Sequence, residues 1–127
     1  MFEACKSGKA KIVQLLLEHS ATTELNTRDL LIELNARDQY GGTAFMWACL
    51  NGHKYVVQLL LDHSKRIDLN ARSNNGNTAF IMAYKNGHKD IIKLLLEHSD
   101  IDITGYKSLT QEMIDFIELY QLKLSWN

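Results

Sequence analysis

The sequence predicts an all-α solenoid: stacked helix-turn-helix units with hairpin or loop fingers, closed by a C-terminal capping helix. Three observations carry this. Gly-Asn-Thr-Ala-Phe at 76–80 repeats Gly-Gly-Thr-Ala-Phe at 41–45, Asn-Gly-His at 86–88 repeats Asn-Gly-His at 51–53, and Leu94-Leu95-Leu96 repeats Leu59-Leu60-Leu61. Each offset is 35 residues (76−41, 87−52, 94−59), so separate landmarks share one period. A period of about 20–50 residues marks a unit that buries its apolar face only by stacking on copies of itself. Such stacks offer extended surfaces for binding.

The chain reads as one domain of four parts: an abbreviated repeat at 1–37, full repeats at 38–72 and 73–107, and a helical cap at 108–127. In the abbreviated repeat, Ala4-Cys5-Lys6-Ser7-Gly8 aligns with Ala48-Cys49-Leu50-Asn51-Gly52, and Ile12–Leu17 aligns with Val56–Leu61. The offset there is 44 (52−8), which places a nine-residue insert (44−35) near 21–34. The first full repeat opens on the turn residues Asp38-Gln39-Tyr40-Gly41-Gly42. Thr43 suits a helix N-cap, with a first helix expected over 44–51. Gly52 ends it, because glycine accepts the left-handed conformation that helix ends require. A second helix is expected over 53–62. Its apolar residues Val56, Val57, Leu59, Leu60 and Leu61 are too many for one narrow stripe, so it is buried on two sides. Residues 67–72 alternate apolar and polar, as an extended arm would. The next repeat copies the plan, with a turn at 73–76 and helices over 79–86 and 88–98. In the last part, Ser108 and Gln111 have capping-box spacing. Leu109, Met113, Phe116, Ile117 and Tyr120 then recur at helical intervals, forming a cap with one apolar side.

These residues resemble the ankyrin repeat, whose pattern is Asp-x-x-Gly-x-Thr-Pro-Leu-His-x-Ala, then Gly-His, then Val-Val-x-Leu-Leu-Leu, then Val-Asn. Asp38, Gly41, Thr43, Phe45, Ala48, Gly52, His53, Val56, Val57, Leu59–Leu61 and Asn70 match it. Gly76, Thr78, Phe80, Ala83, Gly87, His88, Ile91, Ile92 and Leu94–Leu96 match it again. The resemblance covers 1–107. The family proline is replaced by Ala44 and Ala79, which removes a preorganised first turn. The family histidine is replaced by Met46 and Ile81, exchanging a hydrogen bond for apolar contact. No finger precedes Met1, which leaves a natural N-terminal cap or a shortened array as alternatives. Asn35 and Asn70 match the Val-Asn site that asparaginyl hydroxylases modify in some family members; the plainer role is a structural amide bonding the finger.

Composition excludes several classes. Fourteen Lys and Arg against fifteen Asp and Glu give a net charge of −1, with no basic excess to neutralise phosphates, so nucleic acid is not the expected partner. No apolar run approaches the roughly 20 residues that span a bilayer, so no membrane is expected. Glu3, Lys6, Lys9 and Lys11 stand where a signal peptide would need an apolar core. With only Cys5 and Cys49, the chain fits a reducing intracellular setting, taken as the cytoplasm. Both cysteines occupy equivalent positions and read as inert buried thiols. The five histidines fall one per unit in two registers, His53 and His88 after the glycines and His19, His63 and His98 ending second helices. Metal ligands would have to converge on one point, so the histidines read as structural. No nucleophile elbow or phosphate loop occurs, and the expected catalytic, metal and cofactor sets are empty.

What remains is a protein-binding surface. In ankyrin-like stacks the finger tips and the open side of the first helices line one concave face. The matching positions are Gln39, Tyr40, Gly42, Leu50 and Asn51, then Asn74, Asn75, Asn77, Lys85 and Asn86, with Lys6 and Ser7 from the abbreviated repeat. Tyr40 and Leu50 are candidate anchors, and the asparagines either bond a partner backbone or simply fill turns. Met46, Trp47, Ile81 and Met82 are assigned to packing. The expected function is non-catalytic binding of a protein partner by a monomer. The alternative is a spacer or scaffold piece of a longer array, whose exposed end seam would self-associate.

Overall fold

The computed structural model describes residues 2–22, 34–98, 100–103, 107 and 109–126, with the side chains of 19–22 outside the description. It is all-helical, and no strand occurs among the described residues. The helices are α1 (Phe2–Lys6), α2 (Ala10–Thr22), α3 (Ala44–Leu50), α4 (Lys54–Asp62), α5 (Ala79–Lys85), α6 (Lys89–Leu96) and α7 (Gln111–Ser125), with a 3₁₀ turn at Ser64–Arg66. Helices α1, α3 and α5 pack side by side as one row, α2, α4 and α6 as a second, and each pair joins the rows. The insert expected near 21–34 falls almost wholly outside the described residues.

Local chemistry explains the element ends. The Thr43 and Thr78 hydroxyls accept hydrogen bonds from the Met46 and Ile81 backbone N–H at 3.3 Å, capping α3 and α5. Gly52 and Gly87 then turn the chain at φ +73° and +72°. The second helices start one residue later than their sequences suggest, with His53 and His88 at the N-cap positions. Helix α6 ends at Leu96 rather than His98. The arm alternates as expected: Ile67, Leu69 and Ala71 are buried, and Asp68, Asn70 and Arg72 point outward.

The core is the seam between the rows. Val56, Val57 and Leu60 are fully buried while Leu59 and Leu61 are partly covered, which is the two-sided burial the crowded apolar run implies. Phe45 and Phe80 are among the largest fully buried side chains. The cap closes repeat three through Met113 and Ile117. The capping box expected from Ser108 lies outside the described residues. Helix α7 starts at Gln111 with Thr110 at its N-cap. The physical reason is tertiary: Thr110 N–H donates to the Tyr84 hydroxyl at 2.8 Å, so α5 sets where the cap helix begins.

Inter-repeat stitching is periodic. Nε2 of His53 donates to the Lys6 carbonyl at 2.7 Å, and Nε2 of His88 to the Leu50 carbonyl at 2.8 Å. Each histidine thereby satisfies an open carbonyl at the end of the preceding unit's first helix. Nδ1 of His63 bonds the Leu59 carbonyl at the end of its own helix. The Asn35 amide donates to the Arg66 carbonyl and accepts from Asp68 N–H, and the Asn70 amide repeats both bonds with Asp100 and Asp102. Both asparagines are thus structural links between successive arms.

Candidate partner-binding groove

Each finger is a turn closed by its own backbone. Asp38 N–H bonds the Gly42 carbonyl and Gly41 N–H bonds the Asp38 carbonyl; Ser73, Gly76 and Asn77 repeat the pattern. The second finger is tied to the first by Asn74, whose backbone N–H donates to the Tyr40 carbonyl and whose amide donates to the Gln39 carbonyl at 3.1 Å. The Gly41 turn also needs its missing side chain, because a Cβ there would lie 2.5 Å from Oδ1 of Asn74.

Between these fingers and the first-helix row lies a groove of about 240 Å³. Tyr40, Gly42, Leu50, Asn75, Asn77, Lys85 and Asn86, all singled out in the sequence, line it together with Met46, Trp47, Ser73 and Met82. The other singled-out residues are engaged elsewhere. Asn51 donates to the Lys6 carbonyl at 3.1 Å, and Asn74 stitches the fingers. Gln39 and Ser7 are exposed outside the groove lining, and the Lys6 ammonium lies 4.4 Å over the Trp47 ring. Asn86 bonds back to the Met82 carbonyl within its own helix.

Met46, Trp47 and Met82, assigned to packing from the sequence, also line the groove, and Trp47 packs against Lys6 of repeat one as well. Trp47 is half-buried, and its indole N–H donates to Oδ2 of Asp38 at 2.6 Å. Oδ1 of Asp38 accepts from Tyr40 and Gly42 N–H, both at 2.9 Å. Desolvation works to raise the Asp38 carboxyl, but these three donors and the nearby Lys6 charge outweigh it and hold the group below its ordinary value. Gly42 leaves space for this pair, since a Cβ would sit 3.1 Å from the indole nitrogen. A sequence signal existed: Trp47 and Leu50 are three apart on one helix face, and Met82 with Lys85 repeats them one period later.

The two cysteines are shielded from solvent. Cys5 and Cys49 are fully buried thiols. Burial pushes the Cys5 thiol up to about 11 and the Cys49 thiol higher still. Among the described residues, no three His, Cys, Asp or Glu are grouped to hold a metal ion. Among those same residues, no helix is long and apolar enough to cross a membrane.

The doubled units, the stacked fingers and the Gly-His corners define an ankyrin-repeat protein. A family profile described as ankyrin repeats (3 copies) matches residues 1–106, and the chain belongs to that family. Ankyrin repeats are generic protein–protein interaction modules. Among solved structures, the chain is similar to one in the crystal structure of the yeast ribosomal protein Rps3 in complex with its chaperone Yar1. The identity is 29% and the TM-score 0.70, over 78% of this chain and 65% of that one. The present chain therefore matches less than two thirds of that relative's length. A comparison with curated proteins finds no significant match.

Proposed function

We propose that this chain is a non-catalytic module that binds a protein partner in the groove between its fingers and first helices, acting as a monomer inside the cell, in the cytoplasm. The carrying observation is the groove itself: an apolar floor of Met46, Trp47, Leu50 and Met82 beneath a rim of Tyr40, Asn75 and Asn77. Tyrosine and tryptophan are enriched among residues that dominate interface energetics. The stitched fingers and histidine corners hold the site in one shape, so little ordering cost attends binding. A structure similar to this one contains a chaperone in complex with a ribosomal protein, which supports a protein ligand. The test is affinity capture from native extract with wild type and the Tyr40→Ala/Asn75→Ala variant. A protein retained by wild type and lost by the variant, with helicity unchanged by circular dichroism, is the expected result. Equal retention would move the site out of the groove.

A second reading, a spacer within a longer array, is favoured by one observation. Val56 and Leu60 of α4, which packs on α2, are 1% exposed, yet the equivalent Ile12 and Leu16 of α2 are 45% and 41% exposed. Leu15 beside them is 53% exposed. This reading expects concentration-dependent self-association in sedimentation equilibrium, abolished by Ile12→Lys/Leu16→Lys. A wild-type chain that stays monomeric at all concentrations counts against it.

A further inference from the structure

Resting on the groove as the binding site, we infer that its occupant is an extended peptide segment carrying a large apolar side chain and, about three residues away, a carboxylate. The argument starts from the period. Residues one repeat apart occupy equivalent places, so the groove divides into two halves. Repeat two contributes Tyr40, Trp47 and Leu50, which carry no charge. Repeat three contributes Asn75, Met82 and Lys85 at the same three positions. The pairs are 40/75, 47/82 and 50/85, each separated by the 35-residue period.

Lys85 is exposed, and the one hydrogen bond of its ammonium among the described residues is a 3.4 Å contact to Oδ1 of Asn77. No carboxylate pairs with it among those residues; the ion pairs there are Arg72 with Asp102 and Lys89 with Glu112. The acid at the groove, Asp38, is turned onto the indole and two backbone N–H groups and stands beside Lys6. Glu3 lies on α1, one repeat further from Lys85, on the same helix as Lys6. The repeat-three half therefore presents an uncompensated cation, and the repeat-two half presents aromatic and aliphatic surface. A complementary ligand places its apolar group over Trp47 and Leu50 and its negative charge over Lys85.

The spacing and backbone form follow from geometry. Packed helices in neighbouring repeats stand about 8–10 Å apart, which equals about three residues of extended chain at roughly 3.3 Å each. A groove of about 240 Å³ has room for one large apolar side chain, since a cavity of about 150 Å³ already accepts a benzene-sized group. The Asn75 amide and the Tyr40 hydroxyl make no side-chain hydrogen bond among the described residues. They stand at the rim where an extended backbone, unlike a helix, still needs partners.

The experiment selects from a random-sequence peptide library displayed on phage, with the whole chain as target. Enriched peptides are then synthesised and titrated into a Trp126→Phe background, where Trp47 is the single indole and reports groove occupancy. The expected result is enrichment of a large apolar residue with Asp or Glu three positions away. Binding should weaken about fivefold or more in Lys85→Glu, with a smaller loss in Lys85→Gln. Selection on Lys85→Glu should replace the acid with Lys or Arg. Peptides that depend on Tyr40 and Leu50 but carry no acid, or bind Lys85→Glu as well as wild type, would overturn the charge assignment and leave the groove reading standing. Peptides indifferent to Tyr40, Leu50 and Lys85 would overturn both. Failure to enrich any sequence would overturn the linear-segment inference alone.

Discussion

At the scale of single residues, the Gly-His corner couples one repeat to the next. Gly8 and Gly52 sit at φ +70° and +73°, and a Cβ at either would meet the histidine ring of the following repeat at 2.5–2.7 Å. Gly87 has the same conformation, φ +72°, but no described residue comes within 4 Å of a Cβ there. The two contributions to glycine's use at this corner can therefore be separated. Gly87→Ala should cost about 1–2 kcal/mol, the strain of a left-handed L-residue. Gly52→Ala should cost clearly more, because the His88 ring must also move and its bond to the Leu50 carbonyl is put at risk. Urea denaturation of both variants checks this; equal losses would mean that the histidine ring yields freely. The caps Thr43 and Thr78 and the turning glycines were legible in the sequence because each acts within a few residues of itself. Trp47 was not. Its place depends on an acid nine residues earlier in the finger (47−38) and on Lys6 of another repeat, contacts that no local pattern encodes.

At the scale of elements, the six repeat helices were legible because the apolar period and the capping residues agree. Their ends shifted by one or two residues where an N-cap histidine or a frayed last turn decides the boundary. The C-terminal helix was legible as an amphipathic segment, but its start was not, since Tyr84 of α5 anchors Thr110 through a contact that no local pattern encodes. The cap's attachment is unlike the repeat seams. It rests on buried Met113 and Ile117, on Lys89 and Lys93 lying over Phe116 at 5.4 and 5.8 Å, and on the bond from the Tyr120 hydroxyl to Glu97. Ile117 is fully buried. Ile117→Ala should therefore destabilise by about 2–5 kcal/mol. Exposed Leu119→Ala, 68% accessible on the opposite side, should change little. Thermal melts of the two variants distinguish a cap that seals the last seam from a helix that merely follows it, for which both substitutions would be near neutral.

At the scale of the whole molecule, the main helix contacts among the described residues run between neighbours. Helix α3 packs on both α1 and α5, and α4 on both α2 and α6, so repeat two is the one unit with a full repeat-type seam on each side. Stability in such an array is close to a sum of unit and nearest-neighbour contributions, and opening proceeds from weakly held parts. Repeat one is held on one side and exposes Ile12, Leu15 and Leu16 on the other. Repeat three has its second side partly closed by α7. Amide hydrogen exchange should consequently rank the helices: slowest in α3 and α4, intermediate in α5 and α6, fastest in α1 and α2. The ranking bears on binding, because the apolar half of the groove stands on α3 and the cationic half on α5. A partner in the groove bridges the two repeats, so it should slow exchange in α5 more than in α3, whose protection is already near the limit set by global unfolding. Equal protection throughout the free chain would show that the stack opens as one cooperative block and that binding cannot stabilise one repeat selectively.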